Sequence, residues 1–117
     1  MDDTTRTLEN EFQAGPGSFL LQLRCDLRWD QAAFSRLASA MLHYVSTRPA
    51  TEAIPRWIAE GFWYLDFFVK EWSGHENFPR LAEPRYYERA NQRLHDLAFW
   101  LFTGQSPYEE DRGFEPL

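Results

Sequence analysis

Apolar residues recur at intervals of three and four in three long segments of the chain, and each segment is bounded by capping or helix-breaking residues. This spacing places the apolar side chains on one face of an α-helix. Asp30 and Thr51 are typical N-caps, Pro84 suits a first helical turn, and Gly74 and Gly104 suit helix ends. We therefore predict a mainly α protein with a three-helix core, formed by residues 30–47, 52–72 and 84–103.

A fourth segment, residues 19–29, alternates apolar and polar residues, and only Leu20 breaks the alternation. A period of two favours a half-buried β-strand. The weaker alternation before the Gly-Pro-Gly-Ser turn at residues 15–18 could supply the second strand of a hairpin. A short helix containing Leu20, Leu23 and Leu27 is the alternative for this segment.

The length and the charge distribution narrow the classes of partner. The chain has 117 residues, enough for about one domain. Its net charge of −6 comes from the ends, because residues 1–15 and 105–117 each carry four acids against one arginine. We predict a single domain over residues 1–117 with loose acidic ends at about 1–11 and 105–117. The neutral body lacks the clustered basic surface that nucleic acid or an anionic membrane requires, so we expect neither partner.

The sequence also bears on compartment, cofactors and catalysis. No basic and apolar leader follows Met1, and no apolar run approaches the roughly 20 residues of a membrane span, so we expect a cytoplasmic protein. Cys25, the single cysteine, falls in the apolar set of the predicted strand and should be buried and unreactive. The three histidines have no metal-ligand spacing, and no nucleophile motif or phosphate-binding loop occurs. We predict no catalytic residue, metal site or cofactor.

Two aromatic residues of the second predicted helix lie opposite its core face. Trp63 and Phe67 fall in a polar face together with Glu60 and Lys70. Either another layer of the same chain covers these rings, or another protein does. Aromatic anchors surrounded by charged residues are typical of protein interfaces. We predict that these four residues bind a partner.

The third predicted helix has two flanks that could extend or replace this site. Arg93 and Trp100 lie on one flank and could join the partner-binding surface, although an arginine stem packed over Trp100 would be ordinary helix packing. The other flank predicts an alternative pocket, formed by Tyr87, Glu88, Asn91 and His95. A histidine and a carboxylate suit acid–base chemistry. However, Glu88 and His95 lie two helical turns apart, roughly 10 Å, which is too far for a hydrogen bond.

These patterns favour a small cytoplasmic protein-binding protein of the inhibitor, immunity or assembly-factor type that uses an aromatic helix face. Another protein is the expected partner, and a homodimer through the same face is a further option. The alternative is a small enzyme or ligand-binding domain with an aromatic-walled pocket around His95.

Overall fold

A computed structural model describes residues 2–108, and this part of the chain contains five α-helices and no β-strand. The helices are α1 (Asp3–Phe12), α2 (Phe19–Asp26), α3 (Gln31–Thr47), α4 (Arg56–Ser73) and α5 (Pro84–Thr103). The chain divides into two compact units, Met1–Thr47 and Arg48–Leu117. Helices α1 to α3 belong to the first unit, and α4 and α5 belong to the second. Within the described residues, no helix is long and apolar enough to cross a lipid bilayer.

The prediction of a mainly α protein is confirmed, and three of the five helices fall in the three predicted segments. Helix α5 ends at Thr103 and is capped by Gly104, whose φ of 74° is a conformation that favours glycine. Helix α4 begins at Arg56, later than predicted, because Pro55 is extended at the N-cap and disfavours helical geometry in the residue before it. The packing of these three helices into one core, and a single domain, remain predictions.

The prediction of a β-strand or hairpin over residues 19–29 is wrong, because Phe19–Asp26 form α2 and the described part of the chain contains no strand. The Oγ atom of Ser18 accepts a hydrogen bond of 3.1 Å from the Leu21 N–H and so caps the helix. Phe19, Leu20 and Leu23 are buried at helical spacing. Leu20, which breaks the alternation, therefore belongs to the buried face of a short helix.

The end of α2 differs from both sequence interpretations. Leu27 follows the helix in a left-handed conformation, with a φ of 50°, and its side chain is exposed. Cys25, predicted to be buried, is also exposed. The reason is the change of period: a helix turns about 100° per residue, so Cys25 does not share the face of Leu23 as it would in a strand.

Residues 3–12 form α1, although the sequence predicts a loose N-terminal end. Asp2 supplies the N-cap, and its Oδ1 atom accepts a hydrogen bond of 2.8 Å from the Thr5 N–H. Leu8 and Glu11 are buried, and α1 packs mainly against α3. At the other end, residues 105–108 are described, and the acidic run that follows lies outside the described residues.

A buried carboxylate joins α1 to α2. The N–H of Phe19 donates to Glu11, with distances of 3.0 Å to Oε2 and 3.5 Å to Oε1. Burial raises the pKa of Glu11, while the hydrogen bond from Phe19 and the charge of Arg36 act in the opposite direction. The negative charge lies at the N-terminus of α2, where the helix dipole favours it.

Helices α4 and α5 run antiparallel. Asn91 near the start of α5 contacts Ser73 at the end of α4, and His95, one turn later, contacts Asp66. Each helix buries one stripe of side chains. The stripe of α4 is Ile58, Gly61, Phe62, Leu65, Val69 and Ser73. The stripe of α5 is Tyr87, Ala90, Arg93, Leu94, Leu97, Ala98 and Leu101.

We predict that Asp30→Ala lowers the free energy of unfolding by about 1 kcal/mol at pH 7, because the Ala33 N–H loses its acceptor. Asp30→Asn should retain most of the stability. The hydrogen bond from Ala33 lowers the pKa of Asp30 below its ordinary value of 3.8. The stabilisation is therefore complete above that pH and is lost as the pH falls through the lowered pKa. Urea unfolding of the wild type and of Asp30→Ala, at pH 7 and at a series of acidic pH values, measures this difference in unfolding free energy. A difference that stays constant in acid would contradict the prediction.

Candidate functional site

The α4 aromatic face, defined as Trp63 and Phe67 with the flanking Glu60 and Lys70, is exposed. The exposed fraction is 56% for Trp63 and 55% for Phe67. Their rings are stacked, with planes 2° apart and centroids separated by 5.9 Å. The two rings thus lie parallel and next to each other on the exposed side of α4.

The geometry of α4 explains this exposure. Phe62, Leu65 and Val69 face inward, and a rotation of about 100° per residue directs Trp63 and Phe67 to the opposite side. The four-residue interval brings the two rings onto neighbouring turns, where they can stack.

The charged residues of the α4 aromatic face have no partners within the described chain. Glu60 lies three residues before Trp63, and Lys70 lies three residues after Phe67. Both side chains are exposed, and among residues 2–108 neither takes part in an ion pair or a side-chain hydrogen bond. Both charges are therefore available to groups outside the chain.

A second aromatic stack runs along another side of α4. Tyr64, Phe68 and Trp72 follow at four-residue intervals, with centroid separations of 5.0 Å and 5.3 Å. All three side chains are only partly exposed. These three rings are thus partly covered, whereas Trp63 and Phe67 are more than half exposed.

On the Arg93 and Trp100 flank of α5, Arg93 is buried and Trp100 is only partly exposed. Arg93 is only 8% exposed, and its Cζ atom lies 6.0 Å from the centroid of the Tyr108 ring. The Trp100 and Tyr108 rings meet edge to face, with centroids 6.3 Å apart. Burial raises the pKa of Tyr108 well above its usual range, and the negative charge of Asp96 acts in the same direction.

This result corrects the prediction that Arg93 presents its guanidinium group to a partner. Gly104 reverses the chain direction after α5, and residues 105–108 return over the flank. The structure therefore does not bring Arg93 and Trp100 together with Trp63 and Phe67 in one exposed surface.

All four residues of the alternative pocket lie around one cleft of about 800 Å³. The cleft is lined by Tyr87, Glu88, Asn91 and His95 of α5, together with residues of α4 and of the following loop. The α4 residues include Lys70, so the cleft borders the α4 aromatic face. Tyr87 is the one Phe, Tyr or Trp residue that lines the cleft in the described part of the chain. The predicted aromatic wall is therefore wrong, and most of the residues that line the cleft are of polar or charged type.

The carboxylate that contacts His95 is Asp66 of α4, which the sequence analysis missed. The Nδ1 atom of His95 lies 3.1 Å from Oδ2 of Asp66. The exposed side-chain fractions are 64% for His95 and 28% for Asp66. A carboxylate on Nδ1 orients an imidazole and leaves Nε2 as its second nitrogen. Spacing within a single helix cannot identify this pair, because its two residues lie 29 positions apart on different helices.

A polar network lies deeper in the same cleft. Asn91 Nδ2 donates to Ser73 Oγ at 3.3 Å, and Ser73 Oγ donates to the carbonyl oxygen of Val69 at 2.7 Å. The Oδ1 atom of Asn91 is buried and accepts no hydrogen bond within residues 2–108. A buried acceptor without a donor is unfavourable. A bound group with an N–H or O–H could supply that donor.

No group of three or more His, Cys, Asp and Glu residues in the described chain has the geometry to hold a metal ion. Comparison of the chain with protein-family models, with curated proteins and with solved structures finds no match. Functional assignment therefore depends on the α4 aromatic face and on the cleft around His95.

We predict that Trp63→Ala changes the free energy of unfolding by less than about 1 kcal/mol, because the indole is more than half exposed. Phe62→Ala, at the neighbouring buried position, should cost about 3–5 kcal/mol. Chemical denaturation of the two variants and the wild type measures the difference. A loss from Trp63→Ala as large as that from Phe62→Ala would mean that Trp63 is part of the core.

Proposed function

We propose that this protein is a small cytoplasmic protein-binding protein of the inhibitor, immunity or assembly-factor type, and that the α4 aromatic face is its interface. The observation that carries the proposal is the stacked and exposed pair of Trp63 and Phe67. Two large rings held parallel on a helix lose little conformational freedom when a partner covers them.

The exposed apolar surface of the two rings is large enough to contribute to the free energy of binding a partner. Covering the exposed half of each ring system removes roughly 100 Å² from water, which contributes about 2–3 kcal/mol per residue at about 25 cal/mol per Å². Glu60 and Lys70 border this surface and would form its polar rim. Charges at a rim contribute more to orientation and association rate than to affinity.

The acidic ends of the chain bear on a partner other than a second copy, namely one with a basic surface. Each end of the sequence carries a net charge of −3, since four acids face one arginine, and the body between them is neutral. Acidic ends would steer the chain towards positive patches during diffusional encounter. Long-range attraction and short-range aromatic contact would then act in successive steps of binding.

The test is affinity capture from the native host with the full chain as bait. Proteins that bind the α4 aromatic face should be recovered at least tenfold less with the double variant Trp63→Ala and Phe67→Ala. The matched control is Leu81→Ala, which removes an apolar side chain that is 93% exposed in the loop between α4 and α5. Equal recovery of every captured protein with the double variant would contradict the proposal.

The cleft around His95 supports a second candidate function, a small-molecule site with acid–base chemistry. The specific observation is the convergence of the His95–Asp66 pair, Glu88 and the unpaired Asn91 oxygen on one cleft. In this function His95 would accept or donate the proton, and Asp66 would orient the imidazole. Asn91 would accept a hydrogen bond from the ligand.

We predict that polar fragments which bind this cleft shift the NMR resonances of the His95 ring. Asp66→Asn should weaken such binding about tenfold, because the oriented imidazole loses its carboxylate, while Trp63→Ala should leave it unchanged. A fragment screen at millimolar concentration that leaves the His95 resonances unmoved would argue against a ligand site.

A further inference from the structure

The α4 aromatic face is symmetric along the helix. Glu60, Trp63, Phe67 and Lys70 follow one another at intervals of three, four and three residues. Read from either end, the order is a charged residue, two aromatic rings and a second charged residue. The two charges have opposite signs, and the pattern is centred on the position of Leu65. Alternating intervals of three and four are also the spacing of a coiled-coil seam.

We infer that the partner of this face is a second copy of the chain, packed antiparallel through α4 with a twofold axis at the level of Leu65. This inference rests on the proposed protein-binding role of the same face. A twofold interface requires a self-complementary surface, in which the contact of one residue with another occurs twice. Here Trp63 lies opposite the partner's Phe67, and Glu60 lies opposite the partner's Lys70.

Charge complementarity selects the antiparallel direction. A parallel pair would place Glu60 against the partner's Glu60 and Lys70 against the partner's Lys70, and both contacts join like charges. The antiparallel pair replaces them with two contacts between opposite charges. Both side chains are exposed and have no ion-pair partner within the described residues, so no existing contact must be broken.

The residues one helical turn beyond each of the two charges also fit the antiparallel pairing. Arg56 lies four residues before Glu60, and Gly74 lies four residues after Lys70. The antiparallel register therefore sets Arg56 opposite the partner's Gly74, where no side chain occupies the space. The long arginine stem can lie along the end of the partner helix without a steric conflict.

The apolar centre of this interface is small. The exposed parts of the four rings amount to roughly 400 Å² in both chains together. Stable interfaces bury about 1,200–2,000 Å², and smaller ones belong to weak and transient complexes. We therefore expect a monomer–dimer equilibrium that depends on protein concentration, not a permanent dimer.

The test is sedimentation of the full chain over a wide concentration range, with variants of the two charged positions. Glu60→Lys and Lys70→Glu should each weaken dimerisation at least tenfold, because each places like charges opposite one another twice. The double variant should restore it. An equimolar mixture of the two single variants should also restore it, because a mixed pair again joins opposite charges. Glu52→Lys, an exposed site outside the face with the same change of charge, is the matched control.

Two results would overturn the inference. One is a wild-type chain that remains monomeric at every concentration, and the other is a double charge exchange that fails to restore dimerisation. Circular dichroism of each variant establishes that the fold is retained. The host-capture experiment separates the two proposals. If the chain is monomeric but captures a different protein through Trp63 and Phe67, the dimer inference is wrong and the proposed protein-binding function stands.

Discussion

The antiparallel packing of α4 against α5 determines what the second compact unit can present to other molecules. Each helix buries a single stripe, and in α4 this stripe includes Phe62, Leu65 and Val69. Once these residues face inward, the helical repeat leaves Trp63 and Phe67 on the opposite side. The same antiparallel packing brings Asp66 to His95 and Ser73 to Asn91. The aromatic face and the polar cleft therefore both depend on one helix pair.

Two groups of aromatic and charged residues in this unit have a similar composition but differ in solvent exposure. Arg93 is buried and Trp100 is partly covered, and Tyr108, which follows the turn at Gly104, lies beside both side chains. Trp63 and Phe67 stack on each other and stay exposed. An exposed aromatic pair is unfavourable in water, so the proposals for this protein start from what could cover it.

Local rules of sequence predicted much of the secondary structure. Asp30 marked the start of α3, and Pro84 and Gly104 marked the two ends of α5, since capping and helix termination depend on neighbouring residues. Over residues 19–29 the alternation of apolar residues gave the wrong result. The sequence analysis placed Ser18 in a turn, whereas in the structure Ser18 caps α2, and this helix decides which side chains are buried. Cys25 was misplaced for this reason.

The sequence by itself determined which residues lie on the same side of a single helix, because the helical repeat is fixed by backbone geometry. It thus identified Trp63 and Phe67 as outward residues and grouped Glu88, Asn91 and His95 on one flank. Only the tertiary structure decided that Asp66 is the carboxylate beside His95, since that contact joins two helices 29 positions apart. Likewise, only the tertiary structure decided that Arg93 is buried and that Tyr108 lies beside it. Contacts between elements depend on how helices pack and where loops reverse, and no local period of the sequence encodes them.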